Sequence, residues 1–397
     1  MTDRFRELWE PLLDIGRAAG GGYARHGWNA ADLACRAWFA ERAAERGLTC
    51  EPDRNGNLWA WWGEPGPDAV VTGSHLDSVP HGGAYDGPLG VVSAFLAVDL
   101  LRERGVTPSR RIAVTAFCEE EGARFGIACL GSRLLTGLLD PAKARALTDP
   151  GGVTLAAAME RAGADPGAIG RDDEALNRIG AFVELHVEQG RALTHLDAPV
   201  GLASAIWPHG RWRFDFTGEA NHAGTTLLAD RRDPMLAFAR TVLAARAHAE
   251  RTGALATVGR VSVEPNGTNA IPSRVRAWLD ARAPDGATLD GLVNAISSDA
   301  ATGNTELEVT AESLTPVVEF GTDLTGRLNQ ALGGAIPVLP TGAGHDAGIL
   351  SGFVPTAMLF VRNPTGVSHA PAEHAPDADC TAGVDALSAV LEELACH

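Results

Sequence analysis

The chain has 397 residues, 45% hydrophobic and 21% charged, with a formal net charge of −17. That length exceeds what one hydrophobic core organises, so two domains are expected. The acidic balance disfavours nucleic acid and anionic membrane surfaces, which both need clustered Lys and Arg, but it leaves room for a local basic pocket around a small substrate.

Six cysteines (Cys35, Cys50, Cys118, Cys129, Cys380 and Cys396) stand singly, with no C-x-x-C pair. This argues against a Cys-rich zinc site or a redox motif and fits free thiols in a reducing cytoplasm. The N-terminal MTDRFRELWE is charged and lacks an apolar core, so no signal peptide is expected. The longest apolar stretch, 91–101, is interrupted by Ser93 and Asp99 and is too short for a bilayer. A cytoplasmic protein is expected.

Residues 3–20 and 29–47 are predicted helical. In the second, Leu33, Ala37, Ala40 and Ala44 recur at helical spacing, Asn29 can cap the start and Gly47 the end. Trp59, Trp61 and Trp62 fall in a predicted strand as packing groups. Ala69-Val70-Val71-Thr72 reads as a buried strand that turns at Gly73-Ser74 into His75-Leu76-Asp77. Asp86 follows, with Gly82, Gly83 and Gly87 around it. Such a loop is either an ordinary polar surface turn or two ligands of one metal centre. A helix is predicted over 88–104 and a buried strand over 111–117, which runs into Glu119-Glu120-Glu121-Gly122. Adjacent buried carboxylates raise one another's pKa, so this turn is either solvated or sits beside a cation. Ala181–Leu185 is a strand that delivers His186.

Residues 208–318 change rhythm. Trp212, Phe214 and Phe216 alternate with Arg213, Asp215 and Thr217, the pattern of a half-buried strand. A helix over 233–251 starts at Asp233-Pro234. Strands are predicted over 254–263 and 274–281, a helix over 288–300, and a last strand over 306–312. The order β-α-β-β-α-β fits a ferredoxin-like sandwich, inserted as a lid or dimer platform into a larger discontinuous domain made of 1–207 and 319–397. Beyond it, Thr356–Val361 is a strand that leads to Ser368-His369-Ala370-Pro371-Ala372-Glu373.

Four apolar runs therefore end in imidazole or carboxylate groups, and sites on α/β sheets gather at the carboxyl ends of strands. His75, Asp86, Glu120, Glu121, His186 and His369 form a hard-to-borderline donor set that suits Zn, Mn, Co or Fe(II). Asp86, lying between His-bearing loops, could bridge two ions. One Glu must stay uncoordinated to move a proton from water to a leaving nitrogen.

Seven ordered motifs carry a family resemblance: GSHLDSVPHGGAYDG; FCEEEGARFG with GSR at 131–133; ELHVEQG; GEANHAGTT with RRDP at 231–234; PNGTNAIPSRV; GAGHDA; and SHAPAE. Over nearly its whole length the chain resembles the M20 metallopeptidase-like amidohydrolases, in their hydantoinase/carbamoylase branch. The implied fold is α/β: a mixed-sheet, zinc-peptidase-like catalytic domain with the inserted ferredoxin-like lid and dimerisation domain at 208–318. The resemblance implies two divalent ions (Zn or Mn, with Co as a further option) on His75, Asp86, Glu121, His186 and His369, with Asp86 bridging. It makes Glu120 the general base and gives Asp77 the task of orienting the His75 ring. His222 matches an oxyanion-stabilising histidine. Asn269 and Arg282 match residues that grip the substrate's carboxylate and ureido groups. Arg211 and Gln189 are added as further substrate contacts.

A homodimer is implied, with lid residues of one subunit completing its partner's site. The implied reaction is hydrolysis of a linear ureide, with loss of ammonia and carbon dioxide. GSHLDSVPHGGAYDGPLGVVSAF and AIWPHGRWRFDF tilt the resemblance toward the allantoate amidohydrolases, which yield ureidoglycine or ureidoglycolate. N-carbamoyl-L-amino-acid hydrolase is the main alternative. An M20 dipeptidase and a non-catalytic binding protein are further ones, the last requiring a lost ligand or base that this chain retains. His345-Asp346 is expected to support the active-site wall. His81 and His374 lie near ligand loops without matching a ligand position.

Overall fold

The computed structural model describes residues 1–301 and 303–396. The chain divides into two compact units, Met1–Ser204 with Phe320–His397, and Ala205–Glu319. The first strands are β1 (Thr49–Pro52), β2 (Leu58–Trp62), β3 (Ala69–His75), β4 (Ile112–Phe117), β5 (Ile179–Val187), β6 (Val200–Ile206), β7 (His209–Thr217) and β8 (Asn221–His222). They are followed by β9 (Leu255–Glu264), β10 (Ala270–Ile271), β11 (Arg274–Arg282), β12 (Glu306–Thr315), β13 (Val318–Glu319), β14 (Val338–Thr341) and β15 (Thr356–Val361).

The first unit is built on a mixed sheet in the order β1-β2-β4-β3-β5-β15-β6, with β14 beside β6. Its four central strands, β4, β3, β5 and β15, run parallel. They are buried along almost their whole length, as apolar runs such as AVVTGSH and TAMLFV require when both sheet faces are covered. Helix Pro88–Glu103 packs against this sheet and is buried nearly all round over its first eleven residues. Phe39, Phe95, Leu96, Leu185 and Leu387 share its core. Because the central strands are parallel, their carboxyl ends open on one edge.

The N-terminal helix stops at Leu13, short of the predicted 3–20. Gly16 takes φ 74°, and the buried Arg25 guanidinium donates to the carbonyls of Leu12 and Ile15. A side chain from outside the helix thus satisfies its last carbonyls and ends it. The second helix, Ala30–Glu45, is capped as expected, the Asn29 side chain accepting from the Asp32 N–H.

The second unit is an antiparallel sheet in the order β12-β7-β11-β9, with helices Pro234–Thr252 and Gly286–Ala300. Numbered along the chain, that order is fourth, first, third, second, the ferredoxin-like arrangement. Its core is Phe214, Phe216, Val275, Ala277, Leu279, Leu289, Leu292 and Ile296. The opposite face departs from simple alternation. Asp215, predicted to point to water, is buried beneath the guanidiniums of Arg213, Arg274 and Arg276.

Candidate metal centre

His75 closes β3, His186 is the penultimate residue of β5, and Glu119, Glu120 and Glu121 follow β4. Asp86 lies in the turn before helix Pro88–Glu103, and His369 in the loop after β15. At Gly87, with φ 85°, any Cβ would overlap the His75 ring, so glycine is what lets the Asp86 turn pass over that imidazole.

Asp86 is the common element. Its Oδ1 lies 3.1 Å from His186 Nε2 and 3.5 Å from His75 Nε2, while its Oδ2 lies 3.3 Å from His369 Nε2. Glu121 Oε2 is 3.4 Å from the same His369 nitrogen. Two donor sets share it, His75–Asp86–His186 and Asp86–Glu121–His369, each with its ligand atoms within 4.8 Å of one another, and a third cluster, Glu184–His186–His345, lacks Asp86. His75 Nε2 is buried without any hydrogen-bond partner. Buried imidazole and carboxylate donors converging on shared space, one of them with no protein partner, fit a divalent cation. Glu120 stands outside both sets. Its Oε2 is 3.7 Å from His75 Nε2, and its Oε1 accepts the Cys129 thiol at 3.1 Å.

The surrounding groups hold these donors in place. His186 Nδ1 lies 2.9 Å from the Val187 carbonyl, which fixes the proton there and turns Nε2 inward as an acceptor. His75 Nδ1 is 3.2 Å from the Asp77 carbonyl and 3.5 Å from its carboxylate. That carboxylate also accepts the N–H groups of Glu120 and Glu121 at 3.0 and 3.1 Å. Asp77 therefore ties the β3 end to the β4 end as well as facing His75. Gln189 Nε2 donates to Asp86 Oδ2 at 2.8 Å and to Ser368 Oγ at 3.0 Å, and Ser368 in turn donates to Asp86 Oδ2. The Gln189 amide nitrogen, expected on the substrate, is engaged with Asp86 instead. Glu119 turns away and accepts N–H groups from Gly27, Arg124 and Phe125.

Electrostatics follow from burial. Desolvation pushes the Glu120 carboxyl well above its ordinary value, with Asp346 and Glu121 adding and His75 opposing. Glu121 is pushed up to about 7, by burial first and then by Asp86. Burial opposes the imidazolium of His75, but Glu120, Asp77 and Asp86 hold its pKa well above the usual histidine range. A positive ion is what this arrangement of carboxylates favours.

Behind the centre, His345 and Asp346 are buried, and the His345 ring sits 4.5 Å from that of His186. Asp346 accepts from Ser132, while Glu184 accepts from Ser74 and from the Ala347 N–H. The loops around the centre hold four non-glycine residues with left-handed backbone: His81 (φ 60°), Glu119 (53°), Cys129 (54°) and His369 (58°).

The remaining predicted residues belong to the second unit. His222 lies on β8, opposite Ala270 of β10, and the Ala223 N–H donates to the Asn269 carbonyl. His222 Nδ1 accepts the Gly224 N–H at 3.0 Å, so Nε2 carries the proton. Arg282 Nε donates to Asp280 Oδ1 at 3.0 Å, and Arg211 Nε lies 3.5 Å from Asp280 Oδ2. Ser368, Cys129 and Glu373 were missed as site residues. Ser368 and Glu373 stand inside SHAPAE, but a polar residue in a loop carries no mark of where it points.

A family model described as peptidase family M20/M25/M40 matches residues 71–393. An N-carbamoyl-L-amino acid amidohydrolase of Geobacillus stearothermophilus is 38% identical, over 98% of each chain. An allantoate amidohydrolase of Escherichia coli K12 is 34% identical, over 100% of this chain and 99% of its own. The crystal structure of a hydantoinase/carbamoylase family amidase from Burkholderia multivorans superposes with TM-score 0.88 at 29% identity, covering 100% of this chain and 98% of that one. With donors of this kind at the strand ends and matches over its whole length, the chain belongs to peptidase family M20/M25/M40, as one of that family's amidohydrolases.

Proposed function

We propose that the protein hydrolyses the C–N bond of a linear ureide, with allantoate as substrate and ureidoglycine or ureidoglycolate as product. The observation that carries this is Asp86: its two oxygens face two separate donor sets, with Glu120 close by and in neither. In this reading His75 and His186 hold one ion, Glu121 and His369 the other, and Asp86 bridges them. Zn or Mn suits the donors, and Co is an alternative. When bound, the pair lowers the pKa of a water and draws electron density from the ureido carbonyl.

Glu120 takes the proton of the attacking water on Oε2, while Cys129 occupies Oε1. It then delivers that proton to the leaving nitrogen. One water is consumed per ureido group, and R–NH–CO–NH2 becomes R–NH2, carbon dioxide and ammonia. His222, protonated on Nε2, donates to the developing oxyanion. Asn269 and Arg282 bind the carboxylate and ureido groups, Arg282 held in plane by Asp280, with Arg211 as an outer contact. Gln189 orients Asp86 in this scheme. The second unit also serves as a homodimer platform, a role supported by exposed Leu236 and Leu243 on helix Pro234–Thr252 and by the free edge of β9 with Leu255 and Val261.

N-carbamoyl-L-amino acids are the second reading, favoured by the 38% identity to the Geobacillus enzyme. The same anchors take the carboxylate and ureido group of both substrates. A panel of allantoate, N-carbamoyl-L-amino acids and dipeptides, run with added Mn, Zn or Co, decides between them. Ammonia release fastest with allantoate is the expected result. Activity confined to N-carbamoyl amino acids supports the second reading, and activity on dipeptides alone refutes both. No helix among the described residues is long and apolar enough to cross a membrane.

A further inference from the structure

Glu373 ends the SHAPAE motif, four residues after His369, and the scheme above gives it no task. It is 5% exposed. Its Oε1 accepts two backbone N–H groups from a distant part of the chain, Tyr85 at 2.7 Å and Asp86 at 2.9 Å, while its Oε2 is buried with no partner. The Glu373 N–H donates to the Ala370 carbonyl, closing the turn that directly follows His369. A Cβ at Gly83 would overlap the Glu373 side chain, so this carboxylate fits only because the loop has glycine there. One oxygen thus fastens the Asp86 loop to the His369 loop.

The two donor sets depend on that fastening unequally. His75 and His186 sit at strand ends, each 1% exposed, and their positions follow from the sheet. His369 hangs on a loop, and its side chain is 48% exposed. Its distance from Asp86 and Glu121 is set by how the two loops are joined.

We propose that Glu373 is a positioning residue that selectively sets the affinity of the ion held by Asp86, Glu121 and His369, an inference that rests on the two-ion reading above. Without it the Asp86–His369 spacing loosens, while the His75 and His186 imidazoles of the other set keep their strand-borne positions.

The test titrates Mn(II) into metal-stripped wild type, Glu373→Ala and Glu373→Gln. Bound metal is measured by equilibrium dialysis and elemental analysis, so no turnover is needed. In Glu373→Ala the first ion should bind within about threefold of wild type and the second about 10–100-fold more weakly, the usual loss when a group supporting a metal ligand is removed. Glu373→Gln should rescue the second ion to within about fivefold, because its oxygen can accept the same two N–H groups and its amide replaces an oxygen without a partner. Unchanged second-ion affinity in Glu373→Ala, equal weakening of both ions, or failed rescue by Glu373→Gln overturns the inference alone. If Glu373→Ala does not fold, Gly83→Ala takes its place: selective second-ion loss supports the inference, and wild-type affinity overturns it. Wild type that binds a single ion removes the two-ion reading and this inference with it.

Discussion

On the two-ion proposal, metal binding should add measurably to the stability of the first unit. Asp77, Asp86, Glu120 and Glu121 are gathered with three imidazoles, and burial already pushes the carboxyls of Glu120 and Glu121 up. The donor sets exist only in the folded chain, so each ion stabilises by mass action, about 2.7 kcal/mol at a free concentration 100 times its Kd. On the two-ion proposal the contribution is about 5 kcal/mol. The first unit has roughly 280 residues, which at about 2.1 cal/mol/K per residue gives an unfolding entropy near 0.6 kcal/mol/K. The expected rise in Tm on adding metal to stripped protein is therefore about 9 °C. Scanning calorimetry on chelator-treated protein, verified metal-free by elemental analysis, measures it. Asp86→Asn, which weakens the carboxylate proposed to bridge both ions, should reduce the rise to less than half. A wild-type rise of no more than about 1 °C would refute the reasoning, because the carboxylates would then not be held apart by cations at all.

Glu120→Gln should lower kcat by about 10²- to 10⁴-fold with metal content unchanged, read by ammonia release alongside elemental analysis. Equal loss of metal would show that Glu120 is a ligand. Asp77→Asn leaves one acceptor oxygen for the N–H groups of Glu120 and Glu121, and should weaken metal binding about 10–100-fold by equilibrium dialysis. His222→Ala should lower kcat by about 10²- to 10³-fold with little change in KM, as loss of one oxyanion donor does; a change confined to KM would place His222 in ground-state binding only.

The sheet and the clustering of the candidate donors are legible for one shared reason. A strand buried on both faces reads as an unbroken apolar run, and the polar residue that ends the run marks its carboxyl end, as VVTGSH and AFVELH do. Parallel pairing then brings those ends together without any further information. Glu119, Glu120 and Glu121 were not separable in the same way. Their roles depend on the left-handed turn at Glu119, which sends one carboxylate toward Gly27 and leaves the next two at the centre. Edge strand β1, TCEP, has no alternation to detect. The N-terminal helix ends earlier than its pattern predicts because its end is set by Arg25, a residue beyond it. Gln189 was assigned to substrate since its sequence neighbour is His186, whereas its amide faces Asp86, 103 residues away. Contacts of that kind belong to the folded chain and have no local signature.

The left-handed residues around the centre carry one more implication. Each non-glycine residue held in that conformation stores about 1–3 kcal/mol, so His81, Glu119, Cys129 and His369 together form a tensioned rim. Glycine at His81 would relax its share of the tension and grant the loop new freedom, whereas at Glu119, Cys129 or His369 it would also delete the contacts described above. Selection for stability of the metal-free fold alone would therefore tend to slacken this rim, at the expense of the geometry that the candidate donors share.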